Sequence, residues 1–345
     1  LEEIVVTAQK RAQSLSDVAA AVTALPGDRL VTAQVSSVQD LQTIVPSVNF
    51  GSDFNQAKIF IRGVGANTST TGNSTAVALH VDGAVVARAE AQLTSLFDLE
   101  RVEVLRGPQG TLYGRNATGG SINLITAKPT QDLTGYARMT FGNYGMLNTE
   151  GALSGGLTDK LSARIAIRSE SRDGFGTNPV TGQDVDDLNR RMARLSAQYD
   201  FTDAASLLVS AEVFRQNDSS GAVHYLRASF PGVARLAPLG VGGYAIAPRD
   251  LATETQPGTD SDSQSYTATL RIAATDQLTF TNIANYRKFD TSLFQDLDLS
   301  AIAGVGTAAY PTTVQERRID SEQYSNELQV NWSGQYLNAV GGLFY

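Results

Sequence analysis

The chain of 345 residues contains no cysteine. A disulfide framework, thiolate catalysis and a cysteine-ligated zinc site are therefore excluded. Its two histidines, His80 and His224, lie too far apart in sequence to read as one site. No run of eighteen apolar residues occurs, so no segment reads as a membrane-spanning helix. Positive charge is scarce as well: 27 lysines and arginines face 35 aspartates and glutamates, for a formal charge of −8. That balance argues against a nucleic-acid partner, which would want a basic face. No charged-then-apolar leader follows Leu1, so any secretion signal is expected to be already removed. What the chain has in quantity is glycine (31), tyrosine (12) and phenylalanine (13), the composition of a strand-and-turn protein.

The length favours two units, and the pattern changes near Arg101–Pro129 (RVEVLRGPQGTLYGRNATGGSINLITAKP). Here two β-branched strands flank five glycines within fourteen residues, so the backbone needs positive φ or close approach at several points. Ahead of it, residues 1–130 read as a small mixed α+β unit. Strands are expected at Ala57–Arg62, Val77–Asp82 and Arg101–Leu105, and a polar, glycine-bounded loop over Gly65–Ser74. A helix is expected within Gly27–Pro46: Ser36 with Gln39, or Ser37 with Asp40, can form a capping box, and Val38, Leu41, Ile44 and Val45 share one face. The opening run Glu2-Glu3-Ile4-Val5-Val6-Thr7-Ala8 has two readings. It is either the first strand of the domain that follows or a strand suited to another protein's sheet edge.

From residue 133 onward the period is two. Leu161, Ala163, Ile165 and Ile167 alternate with Ser162, Arg164 and Arg168; Tyr324, Leu328, Val330 and Trp332 alternate with Ser325, Glu327, Gln329 and Asn331. Nine such strands are expected. Tight turns near 156–159, 201–203, 274–276 and 333–335 alternate with mostly long connections over 171–189, 216–263 and 289–320. Short turns at one end and long loops at the other are the pattern of a transmembrane β-barrel. Nine is odd, and single-chain bacterial barrels are even, so the chain is expected to stop in mid-barrel. A unit of 130 residues has a radius of gyration of about 14 Å, too wide for an eight- or ten-stranded lumen.

These residues resemble the TonB-dependent receptors of the Gram-negative outer membrane, over essentially the whole chain. Glu2–Ala8 looks like the TonB box, Ile61-Arg62-Gly63 and Val81-Asp82-Gly83 look like plug signatures, and Arg101–Pro129 matches the end of a plug. The resemblance implies a mostly β fold: an N-terminal α+β plug inside a large antiparallel barrel of about 22 strands. It divides the chain into box and lead-in (1–10), plug (11–130) and the N-terminal part of the barrel (131–345). It implies energy-coupled uptake of a bulky, scarce solute, a ferric siderophore first, with a carbohydrate, vitamin B12, haem or another organic nutrient, or a surface signalling role, as alternatives. The implied partners are the periplasmic C-terminal domain of TonB, bound by Glu2, Glu3, Ile4, Val5, Val6, Thr7 and Ala8, and outer-membrane lipid. Solute contact falls to the plug apex, Gly65, Ala66, Asn67, Thr68, Ser69 and Arg88. A plug–barrel lock is implied between Arg62 and Arg106 on the plug and Glu327 on the lumen-facing side of its strand.

Other chemistry is thin. Asp184, Asp186 and Asp187, and Asp260 and Asp262, are oxygen-rich but lack calcium-ligand spacing, so they read as solvated loops and no metal site is expected. A haem reading would use His224 as an axial ligand. Gly107–Gly120 lacks the Lys-Ser/Thr ending of a P-loop and the spacing of a dinucleotide fingerprint. No nucleophilic triad is recognisable, so neither an enzyme nor a resident cofactor is expected.

Overall fold

The computed structural model describes residues 5–68, 72, 74–224, 239–240, 244–245, 247–297 and 314–345. The first 130 residues build three small sheets. β1 (Val5–Val6) and β2 (Gln13–Ser14) form a two-residue antiparallel ladder. β3 (Ala21–Pro26) leads into α1 (Gly27–Thr32), and β4 (Val48–Asp53), β5 (Gln56–Ile61) and β6 (Val64–Gly65) make a meander. β7 (Val77–Val81), β8 (Ala84–Val85) and β9 (Leu99–Arg106) follow, then α2 (Gly110–Tyr113) and β10 (Gly120–Thr126). The central sheet has the order β3-β9-β10-β7-β8, with β10 and β7 parallel. Its core is Leu25, Leu41, Ile61, Leu79, Val102, Val104 and Ile122, all nearly solvent-free.

The helix expected over Gly27–Pro46 is in fact two short pieces, α1 and a 3₁₀ turn at Gln39–Thr43. The apolar face is realised, since Val38, Leu41 and Val45 are buried. So is one capping box: the Asp40 carboxylate accepts from the Ser37 amide (2.9 Å) and the Asp40 amide donates to the Ser37 hydroxyl (3.3 Å). A continuous helix is prevented by tertiary pairing. Ser37 bridges Ser95, and the Leu96 amide donates to the Ser36 carbonyl (2.7 Å), which holds 35–37 extended.

Both plug signatures are two-residue hairpin turns. Arg62 and Gly63 (φ +53° and +78°) join β5 to β6; Asp82 and Gly83 (φ +48° and +85°) join β7 to β8. Positive φ at both central residues is the type I′ geometry that matches strand twist. In the glycine-rich stretch, a Cβ on Gly119 would stand 2.6 Å from the Val64 carbonyl, and one on Gly120 (φ +149°) would overlap the Leu105 carbonyl. Those glycines are there for close backbone packing.

The second half is a nine-stranded antiparallel sheet: β11 (Thr134–Phe141), β12 (Leu147–Thr158), β13 (Leu161–Arg172), β16 (Leu188–Thr202), β17 (Ala205–Asp218), β20 (Gly258–Ala273), β21 (Leu278–Asp296), β22 (Val314–Ser333) and β23 (Asn338–Phe344). The long connections carry two small ladders: β14 (Gly176–Asn178) with β15 (Gln183–Val185), and β18 (Leu239–Gly240) with β19 (Tyr244–Ala245). Nine strands with alternating faces match the sequence expectation.

The outward face is layered. Tyr266, Tyr286 and Tyr324 sit side by side in register across three strands, with ring centroids 6.2 and 4.7 Å apart. Toward the loop ends the rows become Gln264, Lys288 and Glu322, then Asp262, Asp290 and Asp320. Toward the turn ends they become Ala268, Ala284 and Asn326, then Leu270, Asn282 and Leu328, the two asparagines bonded to each other (2.9 Å), down to Trp332. An apolar band edged by aromatic rings is what a lipid bilayer selects. A strand needs only about 9–11 residues to cross it, so the 20-residue β22 rises well beyond the band.

Candidate functional site: the buried lead strand and the plug–wall seam

Of the seven residues expected to bind a partner strand, Glu2, Glu3 and Ile4 lie outside the described residues. The other four are lodged in the molecule. Val5 and Val6 pair with Ser14 and Gln13, and Val6 and Ala8 are wholly buried against Ala24, Ala78, Leu105, Tyr113 and Ala117. The run is thus a strand, but its partner is its own lead-in rather than the plug's main sheet.

Buried polar groups hold it. The Thr7 amide donates to Glu103 (2.8 Å), a carboxylate with no solvent exposure that also accepts from Arg101 Nε (2.8 Å). The Tyr113 hydroxyl donates to the Ala8 carbonyl (2.8 Å) and accepts from Asn123 Nδ2 (2.7 Å). Burial pushes the Tyr113 hydroxyl pKa upward, so it stays a donor. His80 stacks edge-on against that ring with centroids 5.1 Å apart. Burial, helped by the charge of Lys10, lowers its pKa to about 3, so it is neutral at ordinary pH.

Directly after the run, Lys10 reaches the barrel wall. Its Nζ lies 2.9 Å from Glu327 Oε2 and 4.8 Å from the Tyr113 ring centroid. Glu327 does face the plug and forms an ion pair across the seam, but its partner is Lys10. The expected pairing with Arg62 or Arg106 is not formed. Arg62 is an exposed turn residue whose guanidinium lies over Gly107, and Arg106 stands at the far end of β9; neither has an acidic partner among the described residues.

The main anchor is one that sequence reasoning missed: residues 95–98, the loop before β9. The Ser95 hydroxyl donates to Glu170 (2.6 Å), Arg168 donates to the Leu96 carbonyl (3.1 Å), and Arg194 donates to the Phe97 and Asp98 carbonyls (3.4 Å each). Asp98 pairs with Arg164, whose Nε lies 2.8 Å from Oδ2. Phe97 packs among Ala152, Ala166, Met192 and Phe214, with the Arg194 guanidinium 4.3 Å from its ring centroid. Higher on the wall Arg317 pairs with Glu90 (3.3 Å), and Gln323 holds the Val85 carbonyl (2.8 Å) and Ala87 amide (3.3 Å). The seam is therefore mainly plug carboxylates and carbonyls on wall arginines. The only available signal was the set of arginines (164, 168 and 194) on the polar side of their strands.

Of the expected apex contacts, Ser69 lies outside the described residues. Gly65 ends β6, and Asn67 and Thr68 are exposed beyond it. Ala66 and Thr68 pack toward Gln56 and Ala89, on the side of the plug that carries Glu90. Arg88 is half-buried, and its Nε has no partner among the described residues.

Four of the five aspartates expected in solvated loops are engaged, and Asp260 and Asp262 stand on β20 rather than in a loop. Asp186 accepts from His224 Nε2 (2.6 Å), Asp187 caps Ser219, Asp260 accepts from Asn217 (2.7 Å) and Asp262 pairs with Arg215 (3.0 Å). His224 is thus tied to a carboxylate rather than offered as an axial ligand. That hydrogen bond raises its pKa.

The comparisons agree with this architecture. A family model described as TonB-dependent Receptor Plug Domain matches residues 14–121. The pesticin receptor of Yersinia pestis is 34% identical over 187 residues, 52% of this chain and 27% of that protein. The vitamin B12 transporter BtuB of Photobacterium profundum is 27% identical over 189 residues, 53% of this chain and 30% of that protein. Among solved structures, the ferric yersiniabactin uptake receptor FyuA from Yersinia pestis superposes with a TM-score of 0.78 at 22% identity, covering 94% of this chain and 48% of that one. The ferric-catecholate import receptor Fiu from E. coli K12 gives 0.73 at 17% identity, covering 100% of this chain and 52% of that one. The chain spans about half the length of these solved receptors, and its match to the curated relatives covers under a third of theirs. Residues 14–121 thus belong to the TonB-dependent receptor plug domain family, and the nine-stranded wall beyond them shares the fold of these solved receptors.

Proposed function

We propose that the chain is part of an outer-membrane receptor that takes up a ferric siderophore, with TonB supplying energy through residues 2–8. The observation that carries the reading is the lodging of Val5–Ala8. A short strand is held at one end of the plug by single hydrogen bonds, and the next charged residue, Lys10, is pinned to the wall 317 positions away. A pull on such a segment is delivered to Glu103 and Tyr113, which belong to the plug sheet and the glycine-rich stretch beside it. Its edge-pairing strand is also the structure that a partner sheet could take over.

The siderophore reading draws on the ferric yersiniabactin receptor among the structural neighbours; the vitamin B12 transporter among the relatives keeps a cobalamin-type solute as the second reading. Solute would meet Gly65–Ser69, Arg88 and the outer loops. Arg62 and Arg106 would take acidic partners on barrel strands outside this chain. Removing residues 2–8 is expected to abolish energy-dependent uptake while surface binding of solute persists. Unchanged uptake would sink the coupling role. Induction of the gene by iron starvation separates a siderophore from cobalamin.

A further inference from the structure

Between plug and wall lies a cavity of about 350 Å³, bounded by the 3₁₀ turn, β4 and the 92–94 segment on one side and by β16, β17, β20 and β21 on the other. Two side chains lining it are almost fully buried: Gln92 (0% exposed) and Gln295 (2%). Their orientation is fixed. Gln92 Nε2 donates to the Val86 carbonyl (2.9 Å) and Gln295 Nε2 to the Gly221 carbonyl (2.9 Å), so in each case the free end is the oxygen. Neither Oε1 accepts a hydrogen bond from any described residue. An unmade bond at a buried carboxamide costs about 1–3 kcal/mol, so two on one cavity call for a reason.

The charges on the lining do not supply it. Arg190 faces Asp218 (3.7 Å) and donates to Ser220 (3.4 Å), and Asp53 is paired with Lys58 (2.9 Å). What remains unsatisfied is two carbonyl-type oxygens and one donor, Arg190 Nε, beside the rings of Phe50 and Phe54. A carboxylate could answer only the Arg190 donor and would be repelled by the two oxygens; hydroxyl groups on an apolar frame, which both donate and accept, would satisfy all three.

We propose that this cavity is a subsite for a neutral, polyhydroxylated part of the transported solute, seated between the plug and the wall and held by Gln92 and Gln295. This deepens the uptake reading and rests on it for the identity of the ligand. It also assigns a role to the wall strands: they would grip the solute's donor groups after the outer loops have captured it.

The test uses the full receptor, with any cysteine outside this cysteine-free chain replaced by serine, purified in detergent, with Ala222→Cys as a reporter on the cavity rim. Its rate of maleimide labelling is followed against sorbitol and, separately, succinate. Sorbitol is expected to protect saturably and succinate not at all. Gln92→Leu on the plug and Gln295→Met on the wall should each raise the half-protecting sorbitol concentration about fivefold, the loss of one hydrogen bond. Each variant is first checked for a heat-modifiable barrel, and two positions on separate elements keep the result readable if one fails. Absence of saturable protection, equal protection by succinate, or protection unchanged in both variants overturns the subsite. Because labelling is read on purified protein, it is independent of whether deleting residues 2–8 stops uptake in cells.

Discussion

Breaking the Lys10–Glu327 pair should free the lead strand. Both side chains are largely buried, 8% and 14% exposed, so their interaction is screened little by solvent. Removing one member of a fully buried pair costs about 3–5 kcal/mol because the other charge is left stranded. Here neither is left bare: Glu327 keeps the Gln329 amide (3.0 Å), and Lys10 keeps the Tyr113 ring. A loss nearer 2 kcal/mol is expected, the weight of one charge-assisted hydrogen bond. Against this, Val6 burial contributes about 1.5–3 kcal/mol, and each ordered residue of the strand costs about 1–2 kcal/mol of backbone entropy. These nearly cancel, so docking wins by the ion pair and the strand's hydrogen bonds; with the undocked form the minor one, losing about 2 kcal/mol multiplies the undocked-to-docked ratio about 30-fold. Val6→Cys, fully buried when docked and the only thiol of this chain, reports that population through its maleimide labelling rate in a receptor otherwise cleared of cysteine. Lys10→Met and Glu327→Gln should each raise the rate by one to one and a half orders of magnitude (about 2 kcal/mol). The double variant should do no worse than the single ones, since the same contact is removed once. Unchanged rates, or effects that multiply in the double variant, would refute the pin.

Asp98→Ala strands the Arg164 guanidinium and removes the centre of the plug anchor. It should cost about 3–5 kcal/mol and make the plug protease-sensitive at lower urea, with barrel heat-modifiability retained. Gly120→Ala forces a Cβ onto the Leu105 carbonyl and, at 2.9 Å, onto Ile61 Cδ1; a loss of about 3 kcal/mol or more in the same urea assay is expected, and a wild-type midpoint would contradict the close packing. His224 has a raised pKa because Asp186 hydrogen-bonds it, with Asp250 also facing it. Its contribution is therefore complete below the unfolded value of about 6.5 and lost as pH rises through the folded one. Limited proteolysis of the outer loops should accelerate with rising pH in the native protein, and His224→Ala should remove that dependence.

How much of this was legible in the sequence depended on whether a feature is set by local period or by register. The wall strands were readable because alternation is local: Ile165 and Ile167 face lipid and Arg164 and Arg168 face the plug whatever their neighbours do. The face Val38-Leu41-Val45 was readable for the same reason, while the helix that should have carried it was not, because the Ser37–Ser95 bridge is a contact 58 positions long. The lock depends on register alone. Glu327 was placed on the correct face from alternation, but which plug residue meets it depends on how high on the wall each row lies, and no single strand encodes that. Arg62 shows the opposite error: the signature was recognised, yet its residue identity serves a positive-φ turn, and its charge has no role among the described contacts. The loop 95–98 carried no motif because most of its bonds are made by backbone groups, which are the same in every sequence. Its partners did carry a signal. An inward-facing arginine between two sheets of charge is costly unless something answers it, and Arg164, Arg168 and Arg194 are answered by one loop. The place to look for the anchor was therefore the wall, by asking what those three arginines needed.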